Sequence, residues 1–179
     1  MNAPGAGAAL QIRDMRPAEA AALGALLVEV YASLDGFPTP AEQPGYYALL
    51  AEVGRFAERP GARVLVAVTP HGELAGGVVY FGSMAEYGAA GPATSLSATS
   101  GLRLLAVSPR HRGHGAGKAL TRACIALARQ AGHAQVVLHT TRAMQTAWRM
   151  YEALGFARAP ELDFLQQGLP VFGFRLPLR

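Results

Sequence analysis

The segment Val107-Ser108-Pro109-Arg110-His111-Arg112-Gly113-His114-Gly115-Ala116-Gly117-Lys118-Ala119-Leu120 constrains this chain more than any other stretch. An apolar run, Leu102 to Val107, reads as a strand. Glycines follow at alternate positions, and then a helix is expected over Gly115 to Ala131. Its apolar positions are Leu120, Cys124, Leu127, Ala128 and Ala131, and Gly132 ends it. A strand, a glycine-rich turn and a helix in that order build an anion site. The first helical N–H groups have no partner within the helix and carry the positive end of its dipole. Glycine lets a phosphate come close to the backbone, and Arg112 and Lys118 add formal charge.

The charge distribution points the same way. The chain carries a formal +4 with a pI near 9.6. Arg110, Arg112, Lys118 and Arg122 crowd one segment together with His111 and His114, while the other charges are scattered. A single basic spot suits a small phosphorylated ligand better than a groove for nucleic acid, and no aromatic residues interleave with it as a single-strand binder would want. No run approaches the roughly 20 apolar residues of a membrane span. The first residues lack the basic region of a signal peptide and read as a flexible tail over 1–9, followed by one domain over 10–179. Cys124 is the lone cysteine, so no internal disulfide is expected and a cytoplasmic setting is the default. The heavy use of Arg, Ala and Gly suggests a bacterial source. The five histidines show no metal-ligand spacing, so no metal is expected.

Around that segment the order of elements reads as strand Leu10–Met15, helix Ala18–Tyr31, loop Leu34–Gly45 and helix Tyr46–Glu58. A hairpin of Arg63–Val68 and Leu74–Phe81 comes next, then an irregular connection over Met84–Ser100. The strand, loop and helix above follow. Strand Val136–His139, helix Met144–Leu154 and a last strand within Leu169–Leu176 complete the chain. This is α/β, with the later strand–helix–strand part able to form a parallel pair. An edge strand near the C-terminus would permit a homodimer.

Three phosphate-loop patterns share this kind of glycine-rich turn. The Walker A pattern needs Gly, four residues, then Gly-Lys-Ser/Thr; here Ala119 follows Gly117-Lys118 and Arg112 stands at the first glycine. The dinucleotide pattern G-x-G-x-x-G/A meets Lys118 or Leu120 at its last position, and no acid follows the next strand. The third pattern, Arg/Gln-x-x-Gly-x-Gly/Ala, is matched by Arg112, Gly115 and Gly117. It resembles the pyrophosphate motif of the GNAT superfamily of acetyl-CoA-dependent N-acetyltransferases. The block Ala147-Trp148-Arg149-Met150-Tyr151-Glu152-Ala153-Leu154-Gly155-Phe156 is similar to that family's Ala-x-x-Leu-Tyr-Glu-x-x-Gly-Phe signature, with Met150 in place of Leu. The resemblance is specific over about 101–156.

The resemblance implies a single-domain GNAT fold, a mixed and mostly antiparallel sheet with a splayed parallel strand pair and flanking helices. It implies acetyl-CoA as co-substrate and an amine acceptor. The main chain of Leu105, Ala106 and Val107 would hold the pantetheine and polarise the thioester carbonyl. Arg112, Gly113, His114, Gly115, Ala116, Gly117 and Lys118 would bind the pyrophosphate. Tyr151 would protonate the leaving sulfur, against the alternative of a core tyrosine. Trp148 would flank the acyl chain or pack. An Asn often stands three residues before the helix Ala in this family; here the residue is Met144. No carboxylate stands on the strand before the loop. Asp35, Glu73 and Glu86 read as surface charges, and His139 is the nearest candidate base. Cys124 reads as core. The stretch Asp35-Gly36-Phe37 and the pair Tyr46-Tyr47 are expected to line the acceptor pocket. A non-catalytic acyl-CoA-binding sensor is the alternative function.

Overall fold

The apolar runs that alternate with helical stretches assemble into one eight-stranded sheet covered on both faces. The computed structural model describes residues 9–179. The tail expected over 1–9 lies, but for its last residue, outside the described residues. The strands are β1 (Gln11–Asp14), β2 (Ala62–Val68), β3 (Leu74–Phe81), β4 (Thr99–Val107), β5 (Gln135–Thr140), β6 (Ala157–Arg158), β7 (Phe164–Gln166) and β8 (Leu169–Pro177). The helices are α1 (Ala20–Ala32), α2 (Pro44–Ala51), α3 (Ala116–Gln130) and α4 (Gln145–Ala153). The sheet order is β1-β2-β3-β4-β5-β8-β6, and β7 pairs with β8. Strands β4 and β5 run parallel, and all other pairings among the described residues are antiparallel. The expected α/β class, mixed sheet and parallel pair are borne out.

Two cores form because each sheet face is apolar. Leu23, Leu27 and Tyr31 of α1 pack with Val64 and Val66 of β2 and Val79 of β3 on one face. Their spacing on α1 is the i, i+4, i+8 stripe of a core-facing helix. Leu120, Cys124 and Ala128 of α3 pack with Leu65, Tyr80 and Leu138 on the other. Cys124 is fully buried there, as its place on the apolar stripe predicts. Gly24 lets α1 and α2 cross closely, since a Cβ there would collide with the Ala51 carbonyl oxygen.

Several boundaries differ from the sequence expectation. The helix expected over Tyr46–Glu58 breaks at Glu52, and Val53–Glu58 continues as a 3₁₀ turn. The break turns Val53 and Phe56 together into the core, where both are at least 97% buried. Strand β4 begins at Thr99, inside the expected irregular connection. Ser100 and Gly101 have weak strand propensity, but each, like Thr99 before them, pairs with a residue of β5. Buried Ser100 is satisfied by the Tyr80 hydroxyl at 2.8 Å and His133 Nδ1 at 2.7 Å. Strands β6 and β7 were not expected; they span two and three residues. The last strand is no sheet edge: β8 lies between β5 and β6, so the C-terminal edge proposed for pairing between chains is not formed by it.

Candidate active site

A cleft opens where β4 and β5 part. Their parallel pairing runs from Thr99↔Gln135 to Leu102↔Leu138 and stops. Beyond it β5 stays with β8 through His139 and Thr140, while β4 continues with β3 to Val107. The backbone edge of β4 past Leu102 therefore has no strand partner on the β5 side. A bulge drives the parting. Between the pairs Gly77↔Ala106 and Val79↔Arg103, β4 spends one residue more than β3. Leu104 sits at φ +59°, a left-handed conformation that costs a leucine roughly 1–2 kcal/mol. The extra residue reverses the alternation set by Leu102 on the α3 face: it moves Leu104 to the α1 face and turns Leu105 and Val107 toward the α3 face.

A cavity of about 550 Å³ fills the cleft. Leu105, Ala106, Val107, Arg112, Gly113, Gly115, Ala116, Gly117, Lys118 and Tyr151 all line it. His114 and Trp148 do not. His114 is exposed on the loop. Trp148 packs edge-on against Phe172 and Phe174, with centroids at 5.4 and 4.9 Å, and its indole N–H donates to Glu152 Oε1 at 3.0 Å.

The glycine loop has the geometry of an anion cradle. Gly113 and Gly115 have φ of +82° and +78°, and a Cβ at either would meet nothing within 4 Å. Gly115 caps α3, and Ala119 N–H donates back to the Gly115 carbonyl at 2.9 Å. The N–H groups of Ala116, Gly117 and Lys118 precede the first helical bond and stay free for a ligand. At Gly117 a Cβ would fall 3.5 Å from Met150 Sδ and Val107 Cγ2, so the loop sits directly against both cleft walls. A pyrophosphate fits this donor set: free amides, a helix N-terminus, and the exposed cations Arg112 and Lys118.

Tyr151 is buried in the α4 wall, its ring edge-on to Phe156 at 5.8 Å. Burial raises its phenol far above the ordinary value, so it stays protonated at any physiological pH. Among the described residues no protein group hydrogen-bonds its hydroxyl. Across the cleft the Tyr31 hydroxyl donates to the Leu105 carbonyl at 3.4 Å.

His139 stands in the cleft but is committed on both ring nitrogens. Nε2 lies 2.9 Å from the Leu162 carbonyl, which can only accept, so Nε2 carries the proton. Nδ1 then accepts from the Tyr87 hydroxyl at 2.8 Å. Burial lowers its pKa further, and no lone pair is left to act as a base. Asp35, Glu73 and Glu86 line no part of the cleft; Glu73 instead pairs with His111 at 3.0 Å.

A second cavity of about 430 Å³ adjoins the first, sharing Tyr31, Arg103, Leu104, His139, Thr140 and Met144 with it. Phe37 and Tyr46 line it. Asp35, Gly36 and Tyr47 do not, and the Tyr47 hydroxyl is tied to the Pro38 carbonyl at 2.7 Å. Arg103, Thr141, Gln43 and Gln166 also line it, and sequence reasoning missed all four. The signal for Arg103 was legible as a charge inside the apolar run Leu102-Arg103-Leu104-Leu105. For the other three no local signal existed. No group of three His, Cys, Asp or Glu side chains among the described residues is placed to hold a metal ion, and no described helix is long and apolar enough to cross a membrane.

Comparisons with known proteins agree with this geometry. The model of the acetyltransferase (GNAT) family matches residues 27–156. A mouse protein named probable N-acetyltransferase family 8 member 5 is 48% identical over 54 residues, 30% of this chain and 24% of that protein. The chain thus spans about a quarter of the length of that curated relative. A GNAT-family acetyltransferase of Staphylococcus aureus superposes with TM-score 0.71 at 15% identity, over 96% of this chain and 100% of the other. The yncA protein of Salmonella typhimurium, solved with its cofactor acetyl-CoA, superposes with TM-score 0.63 at 20% identity, over 95% and 94%. These structural likenesses carry the fold, and the family model covers most of the chain. With a splayed β4–β5 cleft and a glycine cradle at its end, this chain belongs to the GNAT family of acetyltransferases.

Proposed function

We propose that the chain transfers an acetyl group from acetyl-CoA to an amine within a ternary complex. One observation carries the reading: a single cavity joins the phosphate cradle, the unpaired β4 edge and the Tyr151 hydroxyl. Acetyl-CoA supplies the activated acyl carbon when bound. The amides of the Arg112–Lys118 loop, including that of His114, hold its pyrophosphate. The main chain of Leu105 to Val107 holds the pantetheine, and a backbone N–H there stabilises the developing oxyanion; one such donor is worth roughly 3–4 kcal/mol. The amine nitrogen forms the new C–N bond as the C–S bond breaks. Tyr151 hydrogen-bonds the departing sulfur and passes it a proton, and the proton that the amine releases to water in the open cleft restores the phenol. Trp148, outside the cavity, supports α4 by packing.

The absence of any carboxylate from the cavity walls favours one alternative, an acyl-CoA sensor without turnover. Release of free thiol from acetyl-CoA across a panel of amines and amino acids separates the two. Acceptor-dependent release supports the transferase. CoA binding by calorimetry with no release from any acceptor supports the sensor.

A further inference from the structure

The second cavity combines apolar surface with Arg103, Thr141, Gln43 and Gln166, and no carboxylate among the described residues lines it. Arg103 enters it from β4. Its guanidinium has five N–H donors, and one nitrogen is anchored 2.8 Å from the Tyr87 carbonyl. A second guanidinium stands close by: a Cβ at Gly88 would meet Arg103 Nη1 at 3.2 Å and Arg59 Nη1 at 3.3 Å. Arg59 is bonded to the Glu86 carbonyl at 3.1 Å. Both cations are thus tied to neutral oxygens, and neither pairs with a carboxylate among the described residues. Asp163, the acid nearest His139, is spent on Arg158 in a two-pronged pair at 2.9 and 2.7 Å and on the Gly173 amide at 2.7 Å.

A second, independent feature is Thr141. Its side chain is 5% exposed and lines the same cavity, and its Oγ1 is buried without any hydrogen-bond partner. Buried hydroxyls left unpaired are costly and rare, and in a residue that lines a cavity such a hydroxyl is a place for a ligand atom. Gln166 donates to Gln43 Oε1 at 2.9 Å, which leaves the Gln43 amide nitrogen as a donor and the Gln166 amide oxygen as an acceptor, neither of them charged. His139, committed on both nitrogens, adds no negative charge.

We propose that this cavity selects an acceptor that carries a carboxylate beside its amine, an amino-acid-like molecule, with Arg103 pairing the carboxylate and Thr141 bonding it or an adjacent polar atom. The proposal rests on reading the first cavity as the acetyl-CoA site. The six shared lining residues put the amine at the junction, next to the acyl carbon. The same charge pattern disfavours polyamines, whose extra ammonium groups would meet guanidinium and no acid. A carboxylate is the natural partner of a planar guanidinium, because two N–H groups can engage its two oxygens.

The test is acetyl-CoA turnover with matched pairs of free amino acids and their methyl esters, methionine and phenylalanine first, with spermidine alongside. The ester amine is the less basic of each pair, so any bias runs against the proposal. The acid is expected to exceed its ester at least tenfold in kcat/KM, and spermidine to be the poorest substrate. Arg103→Gln is expected to collapse the acid-to-ester ratio to within twofold. Thr141→Val keeps the shape of the side chain and removes an unpaired hydroxyl. It is expected to lower kcat/KM for the acids severalfold while leaving the melting temperature equal or higher. Esters equal to acids, spermidine preferred, or an unchanged ratio in Arg103→Gln would overturn the proposal. So would silence of every amino acid while CoA binding by calorimetry persists. Loss of CoA binding itself removes the donor reading beneath it as well.

Discussion

Tyr151→Phe separates chemistry from packing at a cleft hydroxyl that no protein group among the described residues holds. The ring stays, with its edge contact to Phe156 at 5.8 Å. No described hydrogen bond is lost, so stability should change by less than about 0.5 kcal/mol, against the roughly 1–3 kcal/mol seen when a buried partner is orphaned. Activity should behave differently. A positioned general acid contributes about 10²- to 10⁴-fold, or roughly 2.7–5.4 kcal/mol. In the proposed acid role Tyr151 falls at the low end of that range. Burial raises its pKa, so forming the phenolate beside the departing thiolate is uphill, and hydrogen bonding to the sulfur carries most of the effect. The expected loss is therefore about a hundredfold in kcat, with KM for acetyl-CoA changed little. The assay is thiol release with the best acceptor from the amine panel, alongside a thermal melt. The raised pKa also means that wild-type kcat should show no falling limb from this phenol up to about pH 9.5. A variant within threefold of wild type would refute the acid role. A variant that loses activity in step with melting temperature would show that the hydroxyl served packing.

Three further outcomes are expected. Stability should fall as pH rises above about 9: burial pushes the Cys124 thiol up to about 12, so the unfolded chain releases that proton first, and about 1.4 kcal/mol is lost per pH unit until the folded thiol titrates. The raised phenols of Tyr31, Tyr87 and Tyr151 add to the loss above pH 10, and urea melts at pH 8, 9.5 and 10.5 that coincide would contradict this. Gly76→Ala would place a Cβ 2.5 Å from the Ala106 carbonyl oxygen and 3.3 Å from Val107 Cα, so β4 must shift; about 1–3 kcal/mol of stability and a raised KM for acetyl-CoA should follow, and a variant equal to wild type in both would refute the close approach. Arg112→Ala and Lys118→Ala should each weaken CoA binding about tenfold in 20 mM salt, with the effect shrinking in 0.5 M salt because both side chains are exposed, and calorimetry at the two salt levels reads it directly.

What the sequence determined alone is local. Glycines at 113, 115 and 117 after an apolar run, with cations at 112 and 118, require a turn into a helix N-terminus, because backbone freedom and the orphan amides of a first turn are properties of adjacent residues. The 3.6-residue stripe of Leu120, Cys124 and Ala128 and the continuous apolar runs of β2 and β3 likewise needed no partner to be read. Tertiary structure decided everything that depends on two distant segments meeting. The strand at Thr99–Gly101 exists because β5 offers it a ladder, against the weak propensity of Ser100 and Gly101. The bulge at Leu104 holds a left-handed leucine that no local rule favours, because β3 fixes the register on one side and β5 departs on the other. His139 looked free on a strand end and is instead bound at both nitrogens by Tyr87 and Leu162, 52 and 23 residues away. The donor end of the cleft is written in one contiguous stretch and was legible. The second cavity gathers Gln43, Arg103, Thr141 and Gln166 from four separate segments, and only the packing of the whole chain brings these polar groups to one cavity.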